Sequence, residues 1–179
     1  MVTTPTQIWF GRAVFASLSL LVTLAAMLPI GLAAESAVMP DIFFCIAFAW
    51  VIRRPQTAPL GLIVCFALLA DFLLMRPLGL WTFIILLMSE FVRAQRVPLR
   101  EQLFVFEWII FAVVFSFALF VNFMFLKLSF SPTPSFGLML KYTINTVLAY
   151  GVVVAVLHWI FRIRAPKAPG GYKRLGRVA

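Results

Sequence analysis

The sequence predicts an all-α integral membrane protein, a six-transmembrane-helix bundle with a short second helix. Three observations support this fold class. The 179 residues are 64% hydrophobic, their mean hydropathy is +1.06, and the apolar residues fall into six runs separated by charged or proline-containing breaks. Soluble domains are about half apolar, and a chain of this length has too small a core to hide the excess.

Each apolar run is interpreted as one span, because a helix needs about 20 apolar residues to cross a bilayer. The predicted membrane domain covers residues 1–161, with spans at approximately 13–34, 40–52, 59–75, 78–92, 103–126 and 137–160. The first run imitates a signal peptide, but its apolar core is longer than a signal core usually is. Residues 162–179 form a basic tail, which we predict to be cytoplasmic and disordered.

The second run, 40–52, is shorter than an upright spanning helix needs to be. We expect this segment to thin the bilayer, to lie partly in the interface, or to be shielded by protein. Pro40 suits the start of a helix, and Asp41 suits the positive end of its dipole. Trp50 fits the opposite interface, and the Arg-Arg-Pro sequence at 53–55 ends the run.

Lys and Arg are unevenly distributed between the two predicted sides of the membrane. With six spans and an inner N-terminus, 12 of the 15 basic residues lie on the inner side. The other three, Arg76, Lys127 and Lys141, lie outside. Because inner segments of membrane proteins are rich in Lys and Arg, this distribution places both termini in the cytoplasm. It indicates topology and contact with acidic lipids rather than nucleic-acid binding.

The bundle is expected to pack around residues 60–82, a hairpin whose break at 76–79 reads Arg-Pro-Leu-Gly. A proline cannot continue a hydrogen-bonded helix, so the chain turns there. Asp71 lies inside the apolar run before the turn. Inserting a carboxylate costs about 2.5–3.5 kcal/mol at mid-membrane and less near an interface. Two hypotheses remain open. Asp71 organises the outer face with Arg76 as its nearest partner in sequence, or it is solvated from the edge or caps a neighbouring helix.

Other polar residues near the span ends are interpreted as structural. Glu90 and Glu107 are predicted to pair with Arg93 or Arg100 at the inner side. No P-loop, zinc-protease or Gly-x-Ser-x-Gly motif occurs, so the sequence predicts no enzyme, cofactor or metal site.

Three further features concern the interior of the spans. Cys45 and Cys65 should lie at different depths, which predicts no disulfide between them. Asn122 and Asn145 are expected to make hydrogen bonds between helices. The phenylalanine-rich face of the fifth span is either a docking surface or a surface that contacts lipid.

Four short motifs between residues 40 and 80 occur in a particular order. They are Pro40-Asp41, Arg53-Arg54-Pro55, the sequence Leu-Leu-Ala-Asp-Phe at 68–72, and Arg76-Pro77-Leu78-Gly79. These motifs, the chain length and the short second run resemble the MreD family of bacterial rod shape-determining proteins. The detailed resemblance covers about a quarter of the chain.

The resemblance implies a non-enzymatic scaffold of the elongasome in the bacterial inner membrane, without a cofactor. Such a scaffold binds MreC directly, belongs to a complex with MreB, RodA and penicillin-binding protein 2, and helps to regulate peptidoglycan synthesis and rod shape. The resemblance also implies a fold similar to the substrate-binding subunits of energy-coupling-factor transporters.

Carried over by position, the resemblance implies two groups of structural or partner-binding residues. The outer-side group consists of Asp71, Arg76, Pro77 and Gly79, with Trp81 at the start of the fourth span, and the group framing the second helix consists of Pro40, Asp41, Arg54 and Pro55. Two other functions remain open. One is a vitamin-transporter subunit with an outer pocket under Asp71, Asn122 and Asn145, and the other is a lipid-handling protein that holds an acyl chain in the same place.

Overall fold

The computed structural model describes residues 5–28, 38–95, 104–131 and 133–159. These residues form six helices and no strands: α1 Pro5–Met27, α2 Ile42–Arg53, α3 Leu60–Leu73, α4 Leu80–Ala94, α5 Phe104–Leu128 and α6 Phe136–Trp159. By length and composition, α1, α5 and α6 are able to cross a membrane, while α2 and α3 are shorter apolar helices. The prediction of an all-helical fold is confirmed for the described residues, and the three long helices fit a membrane protein.

Helices α2 to α6 begin and end within two residues of the predicted spans. Helix α1 differs, because it begins at Pro5 rather than near residue 13 and ends at Met27 rather than near residue 34. A proline is tolerated in the first helical turn, where its missing N–H has no partner to lose, so the polar and aromatic start of the chain joins the helix. Residues 29–37 and the predicted tail at 162–179 lie outside the described residues.

Helix α2 lies at the centre of the bundle. All of its residues from 43 to 53 are buried, and it packs against α1, α4 and α6. Its 12 residues span about 18 Å, well short of the roughly 30 Å hydrocarbon layer. Of the three alternatives for this short segment, the described residues support shielding by protein.

Aromatic rings from α2, α5 and α6 fill the core beside α2. Phe111 stacks on Tyr150 with ring centroids 4.0 Å apart, and Phe44 meets Phe115 edge-to-face at 5.1 Å. Such pairs add about 0.5–1.5 kcal/mol beyond the area they bury. Some phenylalanines of α5 therefore belong to the core rather than to an external face.

The N-terminal half of α1 approaches the turn after α2 at a glycine. A Cβ on Gly11 would lie 2.6 Å from Thr57 Cγ2. The Thr57 hydroxyl accepts a hydrogen bond from Trp50 Nε1 at 2.8 Å and donates to the Arg54 carbonyl at 2.9 Å. Trp50 is buried and its indole N–H has a partner inside the bundle, so it packs against protein, and its place at the membrane interface stays a prediction.

Replacing Gly11 with alanine is expected to lower the free energy of unfolding by about 1–3 kcal/mol, because the new methyl overlaps Thr57, which two hydrogen bonds hold in place. Thermal unfolding of the detergent-purified protein measures the change. The control is Gly61→Ala, whose Cβ would have no neighbour within 4 Å. It should leave stability unchanged or raise it by up to about 1 kcal/mol. Equal effects of the two substitutions would contradict the close approach of α1.

Candidate functional site

Two polar clusters lie at the two ends of α2. The first, called here the Asp41 cluster, contains Asp41, Arg76, Trp81, Tyr142 and Thr146. The second, called here the Arg53 cluster, contains Arg53, Glu107 and Tyr150. The aromatic core described above lies between them.

Asp41 begins α2 and bonds to groups from three other segments. Its Oδ1 accepts a hydrogen bond from the backbone N–H of Phe44 at 2.9 Å, which caps the helix. Its Oδ2 accepts from Trp81 Nε1 and from the Tyr142 hydroxyl, each at 3.0 Å. A cap of this kind contributes about 1 kcal/mol, and hydrogen bonds to a charged group are stronger than those between neutral groups. The position assigned to Asp41 at the start of the second helix is thereby confirmed.

Arg76 completes the Asp41 cluster from the turn between α3 and α4. Its Nη1 lies 3.4 Å from Asp41 Oδ2, and its Nη2 lies 3.5 Å from the Tyr142 hydroxyl. The guanidinium also lies over the Trp81 ring, 5.7 Å from the centroid. Burial alone would lower the pKa of Arg76, but Asp41 and Tyr142 outweigh it and raise that pKa. Arg76 therefore stays a cation, and about a third of its side chain is exposed.

Asp71 is fully buried and caps α4. Its Oδ2 accepts hydrogen bonds from the backbone N–H groups of Gly79 and Thr82 at 3.2 and 3.1 Å, and from the Thr82 hydroxyl at 2.8 Å. Gly79 has φ +84, in the left-handed region that favours glycine. The hypothesis that Asp71 caps a neighbouring helix is the one that agrees with the structure. Its expected pairing with Arg76 is not found, because Arg76 turns toward Asp41 instead.

The remaining predicted site residues lie around these two carboxylates and at the far end of α2. Trp81 is buried within the Asp41 cluster, whereas Pro77 is exposed and borders a cavity. Arg54 is exposed and ends α2, with its backbone N–H donating to the Trp50 carbonyl at 2.7 Å. Pro40 is half-buried and Pro55 is buried. The candidates thus divide between the two ends of α2 and do not form one site.

The Arg53 cluster closes the other end of α2. Arg53 and Glu107 form a two-pronged ion pair, with distances of 2.8 and 3.1 Å, and the Tyr150 hydroxyl donates to the same carboxylate. Among the described residues, Glu107 therefore pairs with Arg53 at the end of α2 and not with Arg93. Glu90 does pair with Arg93, at 3.1 Å, and Arg100 lies outside the described residues.

Sequence reasoning missed the polar residues of α6. Tyr142, Thr146 and Tyr150 follow one another at intervals of four, which places them on one helix face, toward α2. Thr146 Oγ1 accepts from the Asp41 backbone N–H at 3.1 Å and donates to the Tyr142 carbonyl at 2.8 Å. The signal was a polar stripe with helical spacing inside an otherwise apolar run.

Two apolar cavities flank the Asp41 cluster. The larger has a volume of about 380 Å³ and lies between α4, α5 and α6, and the smaller has a volume of about 240 Å³ and lies beside α1 and α3. Asn122 borders the larger cavity, while Asn145 Nδ2 donates to the Val38 carbonyl at 2.7 Å and fixes the segment before α2. The hydrogen bond predicted for Asn145 thus reaches a connecting segment rather than another helix.

The arrangement offers little reactive chemistry among the described residues. No group of three or more His, Cys, Asp or Glu side chains there is able to hold a metal ion. Cys45 is buried, Cys65 is exposed, and both are free thiols, as predicted. The carboxylates at the ends of α2 are bonded within the bundle.

Comparison of the chain with protein-family models, with curated proteins and with solved structures finds no match.

A double-mutant cycle should separate the two carboxylates near Arg76. Asp41→Asn and Arg76→Gln are expected to couple by about 1 kcal/mol, because their side chains contact each other and that of Arg76 is partly exposed to solvent. Asp71→Asn and Arg76→Gln should be additive within about 0.5 kcal/mol. The apparent free energy of unfolding in detergent gives both values. Stronger coupling to Asp71 than to Asp41 would contradict this assignment.

Glu107→Gln should lower the free energy of unfolding by about 3 kcal/mol, because it leaves the Arg53 guanidinium buried without its countercharge. The matched control is Glu90→Gln, whose side chain is half-exposed and whose loss should be less than about 1 kcal/mol. Chemical unfolding in mixed micelles compares the two. Similar losses at both positions would contradict a structural role for the Arg53 cluster.

Proposed function

We propose that this protein is a multi-pass scaffold of the bacterial inner membrane that binds MreC, as the resemblance to MreD implies. In this proposal it crosses the membrane six times with both termini in the cytoplasm, and its fold is similar to the substrate-binding subunits of energy-coupling-factor transporters. It works with MreB, RodA and penicillin-binding protein 2, and it helps to regulate peptidoglycan synthesis and cell shape without catalysing a reaction.

The observation that carries the proposal is an apolar stripe on α5 that the bundle does not cover. Its members are all exposed, are spaced by three or four residues, and consist of Phe106, Ile109, Val113, Phe117, Phe120 and Met124. Residues at these intervals lie on one helix face, the geometry by which one helix docks against another. The stripe supports the predicted docking surface for the membrane helix of MreC, with contact to lipid as the alternative.

The direction of each helix supports six crossings. The Arg53 cluster joins the end of α2 to the start of α5, while the Asp41 cluster joins the start of α2 to the turn between α3 and α4. Gly11 in the first half of α1 meets Thr57 in the turn that follows the end of α2. These contacts are the ones that a chain reversing direction at every connection would make, and the positively charged segments then fall on one side.

The uses of the polar groups support a binding role over an enzymatic one. Asp41 and Asp71 both cap helices, and Glu107 is paired with Arg53 and Tyr150. A general acid needs a proton-donating atom, and a general base a proton-accepting atom, within reach of a substrate. These side chains instead hold helices in place, which suits a protein that presents a rigid surface to a partner.

A photoreactive amino acid at Phe117 is expected to crosslink to a co-expressed MreC, because Phe117 lies in the middle of the exposed stripe of α5. The control position is Leu148 on α6, which is similarly exposed, at 59% against 56% for Phe117. Immunoblotting of the crosslinked membranes measures the yield, which should be at least severalfold higher at Phe117. Equal yields at both positions would contradict docking on α5.

The second candidate function is a substrate-binding subunit of a vitamin transporter. The larger cavity favours it, since its volume falls within the usual range for small-molecule sites. Its polar groups are few, however, and Arg76 and Tyr142 already bond to Asp41. A vitamin retained through purification and detected by native mass spectrometry would favour this candidate over the scaffold.

A further inference from the structure

The two cavities share a wall, and that wall carries a cation. Arg76 and Trp81 line both the larger and the smaller cavity, so the guanidinium lies where the two meet. Most other lining side chains are apolar, and the Asp41 carboxylate, which pairs with Arg76, lines the smaller cavity. The arrangement is therefore amphipathic, because the Arg76 guanidinium lies between two mainly apolar cavities.

The exposed charges at this end of the bundle are all positive among the described residues. Lys127 is exposed, and its Nζ lies 4.8 Å from the ring centroid of Phe123, which lines the larger cavity. Lys141 is exposed and directly precedes Tyr142, another lining residue, in the sequence. The carboxylates Asp41 and Asp71 are buried and hydrogen-bonded inside the protein. Among the described residues, the exposed charges near the cavities are therefore those of Lys127 and Lys141.

Arg76 has donor capacity left for such a ligand. Its two contacts within the Asp41 cluster are long, at 3.4 and 3.5 Å, and about a third of the side chain is exposed. A guanidinium carries five N–H donors in a planar fork, and two of them match the oxygen atoms of a phosphate. The Asp41 contact orients the fork without using all of its donors.

We propose that these two cavities form a binding site for one anionic glycerophospholipid of the surrounding membrane. Arg76 binds the phosphate, Lys127 and Lys141 attract the headgroup charge, and the acyl chains occupy the cavities on either side of the wall formed by Arg76 and Trp81. Such a lipid would fill space in the bundle and hold α1, α5 and α6 around the Asp41 cluster. The proposal requires membrane insertion but does not depend on binding to MreC.

The test uses the full chain, purified into mixed micelles that contain equal amounts of phosphatidylglycerol and phosphatidylcholine. Native mass spectrometry then counts the bound lipids. Phosphatidylglycerol should exceed phosphatidylcholine in the one-lipid complex by at least about fivefold, since a single basic residue that contacts the headgroup contributes roughly this factor. Arg76→Gln should remove most of this preference.

Two variants fill the cavities without altering the Asp41 cluster, so they remain informative if Arg76→Gln does not fold. Leu138→Trp fills the larger cavity, and its control, Leu140→Trp, alters an exposed residue of the same helix that does not line it. Ala26→Phe fills the smaller cavity, and its control is Ala13→Phe on an exposed part of α1. Both filling variants should lose the tightly bound lipid, while both controls keep it.

Equal retention of lipid by the filling variants and their controls would overturn the proposal. So would equal binding of the two lipids by the unaltered chain, or a water-soluble molecule occupying the cavities in place of lipid. The scaffold proposal is judged separately by crosslinking at Phe117, which does not line either cavity.

Discussion

Burying α2 on all sides requires a partner for each polar group at its two ends, and the rest of the bundle is arranged to provide these partners. The helix dipole favours negative charge at the start of a helix and positive charge at its end, and α2 has Asp41 before it and Arg53 as its last residue. Both charges would be costly in an apolar interior if they were unpaired. Arg76 and Glu107 supply the opposite charges, and each pair is joined by a tyrosine of α6.

The spacing of the two tyrosines matches the distance between the two ion pairs. Tyr142 and Tyr150 are eight residues apart, about 12 Å along a helix. Asp41 and Arg53 are further apart in sequence, but the Arg53 guanidinium folds back and donates to the Ala49 carbonyl at 3.2 Å. Residue 49 is also eight positions after residue 41, so the charged groups of α2 lie level with the two hydroxyls. Helices α2 and α6 are therefore fixed in register by polar contacts, while Phe48, Phe111 and Tyr150 fill the space between these contacts.

The helices were predictable from the sequence because hydropathy and proline placement are local properties, and the bounds of α2 to α6 followed from them. The partners of the charged residues were not. Sequence proximity suggested Asp71 with Arg76 and Glu107 with Arg93 or Arg100, yet the observed pairs join residues 35 and 54 positions apart. Which carboxylate meets which cation depends on how the helices pack, and a single sequence contains no direct measure of packing. Helix α1 was misplaced for a related reason, since a polar start does not prevent helix formation when Pro5 stands in the first turn.

Unequal helix lengths explain why the cavities lie at the Asp41 end rather than the Arg53 end. Glu107 is in the first turn of α5 and is level with the end of α2, and Phe115 is level with Phe44 near its start. The segment from Leu119 to Leu128, about 13 Å of α5, continues past that level, beyond the start of α2 at Ile42. Helix α6 likewise begins before Tyr142, whereas the turn between α3 and α4 stops at Arg76 and Pro77. Longer helices thus surround the shorter central helix α2. The ion pairs at its ends allow α2 to be buried, and because α2 is short, the cavity beside Arg76 stays open.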